Sequence, residues 1–357
     1  MAKSHNLLNY DRVAMADFFE QQGEKAYRAT QVFRRLHHDS PQSTDIFCDL
    51  PTALRTKLAQ TTSYPNLPLA SDHVATDGVC KLLFDVGGDR IETVIIPESN
   101  RTTLCVSSQV GCALACRFCL TGKQGFSRNL STAEIISQLR QANRLLPPGK
   151  KITNVVFMGM GEPLLNLDAV LSALKIMIDT HGYALPPRRV TVSTAGVVPA
   201  MARLATLPVA LAVSLHAPTD TLRDEIMPIN RKYPLDTLMA ACHRHILNRS
   251  RAFITFEYVM LDGVNDSVAC ARALIRLLHG LRCKVNLIPF NIFPDTPYQP
   301  SPYEAIDRFR DVLMRGGVMT TVRKTRGNDI LAACGQLAGS VQARTMGLGS
   351  EKPLLRA

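Results

Sequence analysis

The chain has 357 residues, 46% of them hydrophobic, with 41 Lys and Arg against 30 Asp and Glu and a formal net charge of +11. No apolar run approaches the roughly 20 residues of a membrane helix; residues 1–12 are polar where a secretory leader has an apolar middle, and ten cysteines without such a leader suit a reducing, cytoplasmic setting. The length fits two domains or one large α/β barrel with an appendage, the positive charge favours a polyanionic partner, and the absence of Trp with only 6% aromatics argues against a broad base-stacking sheet.

The first 75 residues read as helical. Apolar residues at three- and four-residue spacing (Val13, Met15, Phe18, Phe19; then Val32, Phe33, Leu36) predict helices over 11–21 and 27–38, and a third follows Pro51 over 52–59. Lys25, Arg28, Arg34, Arg35, His37 and His38 are interleaved among them. Each one alone reads as part of a solvated face; together they suggest contact with RNA. Residues 63–69, with Pro65 and Pro68 and no periodicity, read as a linker. A hairpin is then expected, 80–86 and 91–96 about a Gly87-Gly88-Asp89 turn.

From residue 103 short β-branched runs alternate with helical segments. Strands are predicted over 103–107, 154–158, 189–193, 210–214, 253–260, 284–288 and 319–323. Helices are predicted between them, over 166–180, 234–248, 267–279 and 302–315. The helix running to 146 opens on the capping box Ser131-Thr132-Ala133-Glu134. This alternation means parallel strands with helical crossovers. The polar and reactive residues gather just after the strands, on the rim where α/β folds place their chemistry.

After the first strand comes Gly111-Cys112-Ala113-Leu114-Ala115-Cys116-Arg117-Phe118-Cys119, a C-x3-C-x2-C run. Three thiolates this close suit an iron–sulfur cubane, and three rather than four leave one iron open to a small molecule. Zinc also accepts thiolates, but structural zinc commonly takes four ligands from paired knuckles and no second C-x2-C follows. Inert buried thiols are the remaining alternative.

The C-x3-C-x2-C motif resembles the signature of the radical S-adenosylmethionine enzymes. Leu104-Cys105-Val106-Ser107-Ser108-Gln109-Val110-Gly111-Cys112, Gln124-Gly125-Phe126-Ser127-Arg128-Asn129-Leu130, Met158-Gly159-Met160-Gly161-Glu162-Pro163, Ser214-Leu215-His216-Ala217 and Ala332-Ala333-Cys334-Gly335-Gln336-Leu337 narrow the resemblance. They are similar to the dual-specificity 23S rRNA and tRNA adenine-C2 methyltransferases, across residues 12–340. The chain departs from that pattern at Val79, Cys80 and Leu82, where the family usually has Thr, Arg and Trp, and in lacking a Trp near Arg35 and Leu36.

The resemblance implies an α/β fold, a partial (β/α)6-type barrel with a small all-helical N-terminal domain. The expected divisions are 1–75 (RNA-contacting), 76–97 (hairpin linker), 98–335 (barrel) and 336–357 (tail). It implies that Cys112, Cys116 and Cys119 hold a [4Fe-4S] cluster whose open iron chelates S-adenosylmethionine, two molecules of which are used per turnover. Gly161 and Glu162 would meet the methionine amino end of this cofactor, and Ser193, Ser214, Leu215, His216 and Asn291 the rest. Cys334 would carry a methyl group on sulfur and become linked through it to adenine C2. Cys105 would release the product by forming a transient disulfide, and Glu92 would accept the C2 proton. The implied partners are 23S rRNA, tRNA and a flavodoxin- or ferredoxin-type electron donor, with the enzyme a cytoplasmic monomer. Lys123, Arg128 and Arg323-Lys324-Thr325-Arg326 are expected phosphate contacts.

Overall fold

A computed structural model describes residues 5–38, 47, 49–247, 249 and 253–339. The expected tail from 340 on, and residue 248 at the end of one expected helix, lie outside the described residues.

Strand β1 (His5–Asn6) leads into helix α1 (Arg12–Gln21), whose N-cap Asp11 accepts the Ala14 N–H at 2.9 Å. Helices α2 (Ala26–His37) and α3 (Thr52–Thr61) follow, and β2 (Thr62–Ser63) pairs in parallel with β1. The predicted apolar faces are buried through Met15, Phe18, Phe19, Val32, Phe33 and Leu36; Val13, expected among them, is exposed.

Strands β3 (Leu69–Val74), β4 (Cys80–Asp85) and β5 (Arg90–Pro97) form an antiparallel meander whose last strand joins β6 (Thr102–Cys105). The β4–β5 hairpin is the predicted one. Strand β3 was not foreseen, because its side chains are mostly exposed and show no alternation; it is held by its backbone pairing to β4. The expected linker is thus the lead-in to a strand.

A short ribbon of β7 (Gln109–Gly111) and β8 (Phe126–Asn129) encloses the cysteine run and α4 (Leu120–Lys123). The main repeat then runs α5 (Thr132–Leu145), β9 (Asn154–Phe157), α6 (Leu167–Ile178), β10 (Val190–Thr194), α7 (Val198–Leu204), β11 (Ala210–Ser214), α8 (Asp220–Ile226) and α9 (Leu235–Leu247). It continues through β12 (Ile254–Met260), α10 (Val268–Leu277), β13 (Cys283–Pro289), α11 (Tyr303–Arg315) and β14 (Thr320–Val322). Among the described residues the sheet has ten strands, ordered β14-β13-β12-β11-β10-β9-β6-β5-β4-β3. Neighbours from β6 and β9 through β14 pair in parallel. This is the expected partial (β/α)6-type barrel, extended at one edge by the antiparallel meander.

Helix packing explains which strand face looks outward. Phe157, Val192, Leu211, Val213, Phe256, Tyr258, Val285 and Leu287 are buried with Ile136, Leu139, Leu174, Leu238, Leu274 and Phe309 of the helices, in one continuous core. The alternate residues of each strand therefore face the lumen. The predicted capping box on α5 forms as read, Ser131 Oγ accepting the Glu134 N–H and Glu134 accepting the Ser131 N–H. The N-terminal helices dock on α6 through Asp11–Lys175 at 2.9 Å and Arg12–Asp179 at 2.8 Å.

Candidate active site

Two cavities meet at the C-terminal rim of the parallel strands. One, of about 160 Å³, is lined by Cys112, Cys116, Cys119, Gly159, Gly161, Glu162, Ser193, Thr194, Ser214, His216 and Asn291. The other, of about 670 Å³, occupies the lumen and is lined by Cys105, Thr191, Glu257, Asn286, Lys284 and Thr321 among others. Met158, Glu257, Ile288, Asn291, Arg323 and Cys334 line both.

The cysteine loop is stitched from several sides. The Cys112 N–H donates to Gly125 O at 2.7 Å, Arg117 N–H to Ile226 O at 3.0 Å and Leu120 N–H to Gly335 O at 2.7 Å. Around it packs an apolar shell of Ala195, Ile226, Met227, Val259, Phe290 and Phe293, with Leu114, Phe118 and Leu120. Burial pushes the Cys112 thiol up to about 12, and Cys116 and Cys119 are also raised, first by burial. Cys119 adds to the rise at Cys112 and Cys116, and Cys112 to that at Cys116, where Arg223 opposes it.

Gly161 has φ +95°, and a Cβ there would stand 2.5 Å from Gln109 Cβ. The backbone of this turn can approach β7 this closely only as glycine. Glu162 is buried; its Oε1 accepts Leu164 N–H at 3.0 Å and its Oε2 accepts Ala195 N–H at 2.8 Å. It therefore caps the turn Pro163–Asn166 and braces the loop after β10, a packing purpose that its place in the sequence did not disclose. Burial raises its pKa.

His216 sits at φ +59° with its ring edge-on to Phe118, centroids 4.6 Å apart. Its Nδ1 accepts the Val259 N–H at 2.9 Å, which leaves Nε2 to carry the proton, and burial lowers its pKa to about 3. Ser193, Ser214 and Asn291 also reach the smaller cavity; Leu215 does not. As the residue between two lumen-facing neighbours it points into the core, its N–H bonded to Glu257 O and its O to Arg223 Nε.

Cys334 sits in a loop pinned by Gln336, which accepts Ala333 N–H at 3.2 Å and donates to Ile292 O at 2.7 Å and Asn328 Oδ1 at 3.0 Å. Asn291 Nδ2 donates to Cys334 O at 3.1 Å, joining that loop to the smaller cavity. Cys105, at the end of β6, is buried, and burial pushes its thiol up to about 12, Cys334 adding to the rise and Arg323 opposing it. Glu92 lies behind this loop, its Oε1 3.1 Å from Lys81 Nζ and its Oε2 accepting Ala338 N–H at 2.8 Å; it lines neither cavity.

Residues 106–271 match the Radical SAM superfamily, and residues 5–63 match the ribosomal RNA large subunit methyltransferase N-terminal domain. A radical SAM methyltransferase from Sphaerobacter thermophilus shares 43% identity with the chain, covering 93% of this chain and 99% of that one at a TM-score of 0.87. The chain belongs to the radical S-adenosylmethionine methyltransferases of the large-subunit ribosomal RNA type. Streptococcus suis SuiB bound to S-adenosylmethionine also matches, at 13% identity over 64% of this chain and 52% of that one, with a TM-score of 0.48.

The residues of this methyltransferase fit its cofactors, a [4Fe-4S] cluster and S-adenosylmethionine. Three thiols share a cavity with a buried carboxylate and an imidazole N–H, a set suited to soft metal and to a zwitterionic ligand. Among the described residues no three His, Cys, Asp or Glu side chains close on a single ion.

Sequence reasoning missed the methyltransferase's buried cation. Arg223 donates from Nε to Leu215 O at 3.0 Å and from Nη2 to Ala195 O at 2.7 Å and Ser214 O at 3.1 Å. It ties two strand ends together beneath Cys116, and nothing in its local sequence marks it. The expected phosphate contacts are also redistributed. Arg323 is turned to the thiols, its pKa raised first by Cys334 and also by Glu257 and Cys105. Arg326 is paired with Asp77 at 2.7 Å and Arg128 with Glu134 at 2.7 Å. His37 is buried against Phe33 and Tyr183 rather than offered to RNA. Arg101, Arg188, Lys284 and Lys324, by contrast, line the larger cavity. Two of the sequence departures, Val79 and Leu82, are wholly buried and serve the meander's packing.

Proposed function

We propose that this enzyme methylates C2 of adenosine, in the peptidyl-transferase region of 23S rRNA and beside the anticodon of tRNA. The observation that carries the reading is the place of Cys334, which lines both the cavity of the three cysteines and the basic cavity that contains Cys105. Adenine C2 has no lone pair for ordinary methyl displacement, so the carbon must arrive by a one-electron route. A cluster held by Cys112, Cys116 and Cys119, with S-adenosylmethionine, would supply that route.

Cys334 first takes a methyl group on sulfur, a displacement suited to a thiolate. Through that carbon it would then be bonded to C2 of the RNA base, one hydrogen atom of the methyl passing to the radical the cofactor supplies, the C2 hydrogen leaving as a proton and one electron returning to the cluster. Cys105 would attack the Cys334 sulfur and break its bond to that carbon, which takes a proton, releasing the methylated base and leaving a Cys105–Cys334 disulfide that an external thiol reduces. Glu92 accepts the C2 proton; this assignment follows the family resemblance, and it requires the carboxylate to leave the Ala338 amide. Gly161, Glu162, Ser193, Ser214, His216 and Asn291 orient the cofactor. Arg101, Arg188, Lys284 and Lys324 meet phosphates, and a loop base enters the lumen more cheaply than one from a duplex. A flavodoxin- or ferredoxin-type protein supplies the electron.

Nucleoside mass analysis of treated RNA tests this. The wild-type enzyme is expected to yield 2-methyladenosine, and Cys334→Ala none while still forming 5′-deoxyadenosine. A methyl group mapped to C8 overturns the regiochemistry, and methylated RNA from Cys334→Ala overturns the carrier role.

A further inference from the structure

Glu257 and Asn286 stand out in the lumen because polar residues interrupt apolar strands at inward positions. Glu257 lies between Phe256 and Tyr258 on β12, and Asn286 between Val285 and Leu287 on β13. The sheet register places Glu257 opposite Asn286, and Asn286 opposite Thr321 of β14. Their side chains form a directed chain. Thr321 Oγ1 donates to Asn286 Oδ1 at 3.1 Å, and Asn286 Nδ2 donates to Glu257 Oε2 at 2.8 Å. That chain fixes the amide, with its oxygen toward Thr321 and its nitrogen toward Glu257.

Two valences remain. Glu257 Oε1 takes no hydrogen bond from the described residues, and Asn286 Nδ2 keeps one N–H. Acceptor and donor thus stand side by side in the lumen. Glu257 also lines both cavities, as Cys334 does. It is 5% exposed, so a polar atom left open there needs a partner. The pairing matches adenine, whose exocyclic N6 amine donates and whose adjacent ring nitrogen accepts.

We propose that Glu257 and Asn286 read the amine-bearing edge of the extruded adenine, N6–H donating to Glu257 Oε1 and Asn286 Nδ2 donating to the neighbouring ring nitrogen. This rests on the proposed action on an adenosine base, and it assigns the selection of that base to two residues on adjacent barrel strands. On the Watson–Crick edge, where flipped bases are read, guanine presents the opposite order, the O6 acceptor beside the N1–H donor. A purine lacking the amine leaves Glu257 Oε1 unpaired, which a buried site rejects strongly.

The test uses two otherwise identical hairpin RNAs, carrying adenosine or purine riboside at the target, with the reconstituted and reduced holoenzyme. Relative kcat/KM for base methylation is the readout, with the methyl position mapped by mass spectrometry. Wild type is expected to prefer adenosine by at least about tenfold. Glu257→Gln is expected to bring the ratio within about twofold, since its amide nitrogen can no longer accept, while S-methylation of Cys334 continues. Equal use of both RNAs by wild type overturns the proposal without needing any variant, and so does a Glu257→Gln enzyme that keeps the wild-type preference. Methyl groups mapped away from C2 overturn the proposed regiochemistry instead, leaving the preference ratio as the measure of base selection.

Discussion

At the scale of single residues, the two rim thiols are set apart by their surroundings. Cys105 is pushed up to about 12 by burial, so near neutral pH its thiolate is scarce and grows about tenfold for each unit of rising pH. Arg323 works against that burial and is itself held cationic first by Cys334. Arg323→Met is therefore expected to slow release of the methylated base about tenfold and to let the enzyme–RNA adduct build up. Denaturing gels of single-turnover reactions read this directly; turnover at the wild-type rate with no adduct contradicts it. The roles of the two thiols were legible in the sequence through the family resemblance. Arg323 was legible only as a charge at a strand end and was assigned to phosphate, because its partners come from β6 and the Cys334 loop, more than 200 residues and about ten residues away respectively by sequence.

At the scale of elements, the turn after β9 packs closely against β7. A side chain at Gly161 meets both an unfavourable φ of +95° and the Gln109 side chain at 2.5 Å. Gly161→Ala is expected to weaken S-adenosylmethionine binding by at least about tenfold, since the strain displaces the turn that carries Glu162. Equilibrium dialysis against labelled cofactor checks it, and unchanged affinity contradicts the assignment. The parallel strands were legible because β-branched runs recur between capped amphipathic helices, and their ends fall within two residues of expectation. Strand β3 was not, for its solvated side chains leave no period to read. Leu215 was assigned to the cofactor from its motif; strand alternation turns Ser214 and His216 to the cavity and sends the Leu215 side chain into the core.

At the scale of the whole molecule, the N-terminal helices and the barrel share one apolar core, with His37 and His245 buried in it. Burial lowers the pKa of His37 to about 3 and of His245 to about 4. Each ring is neutral when folded and takes a proton more readily when unfolded. The stability it contributes is complete above about 6.5 and is lost as pH falls toward the folded value. Glu162 and Glu257 act in the opposite sense, their pKa values being raised by burial, so the histidine part is read by difference. Between pH 6.5 and 5, His37→Phe is expected to lose stability less steeply than wild type, by up to ~1.4 kcal/mol per pH unit. Urea unfolding at several pH values measures the slopes; parallel curves contradict the account. The proposed bond between this protein and its RNA is tested by mass spectrometry of Cys105→Ala after reaction with substrate RNA. The account predicts a Cys334 peptide joined to adenosine C2 through a single carbon; free protein together with released methylated RNA would contradict it.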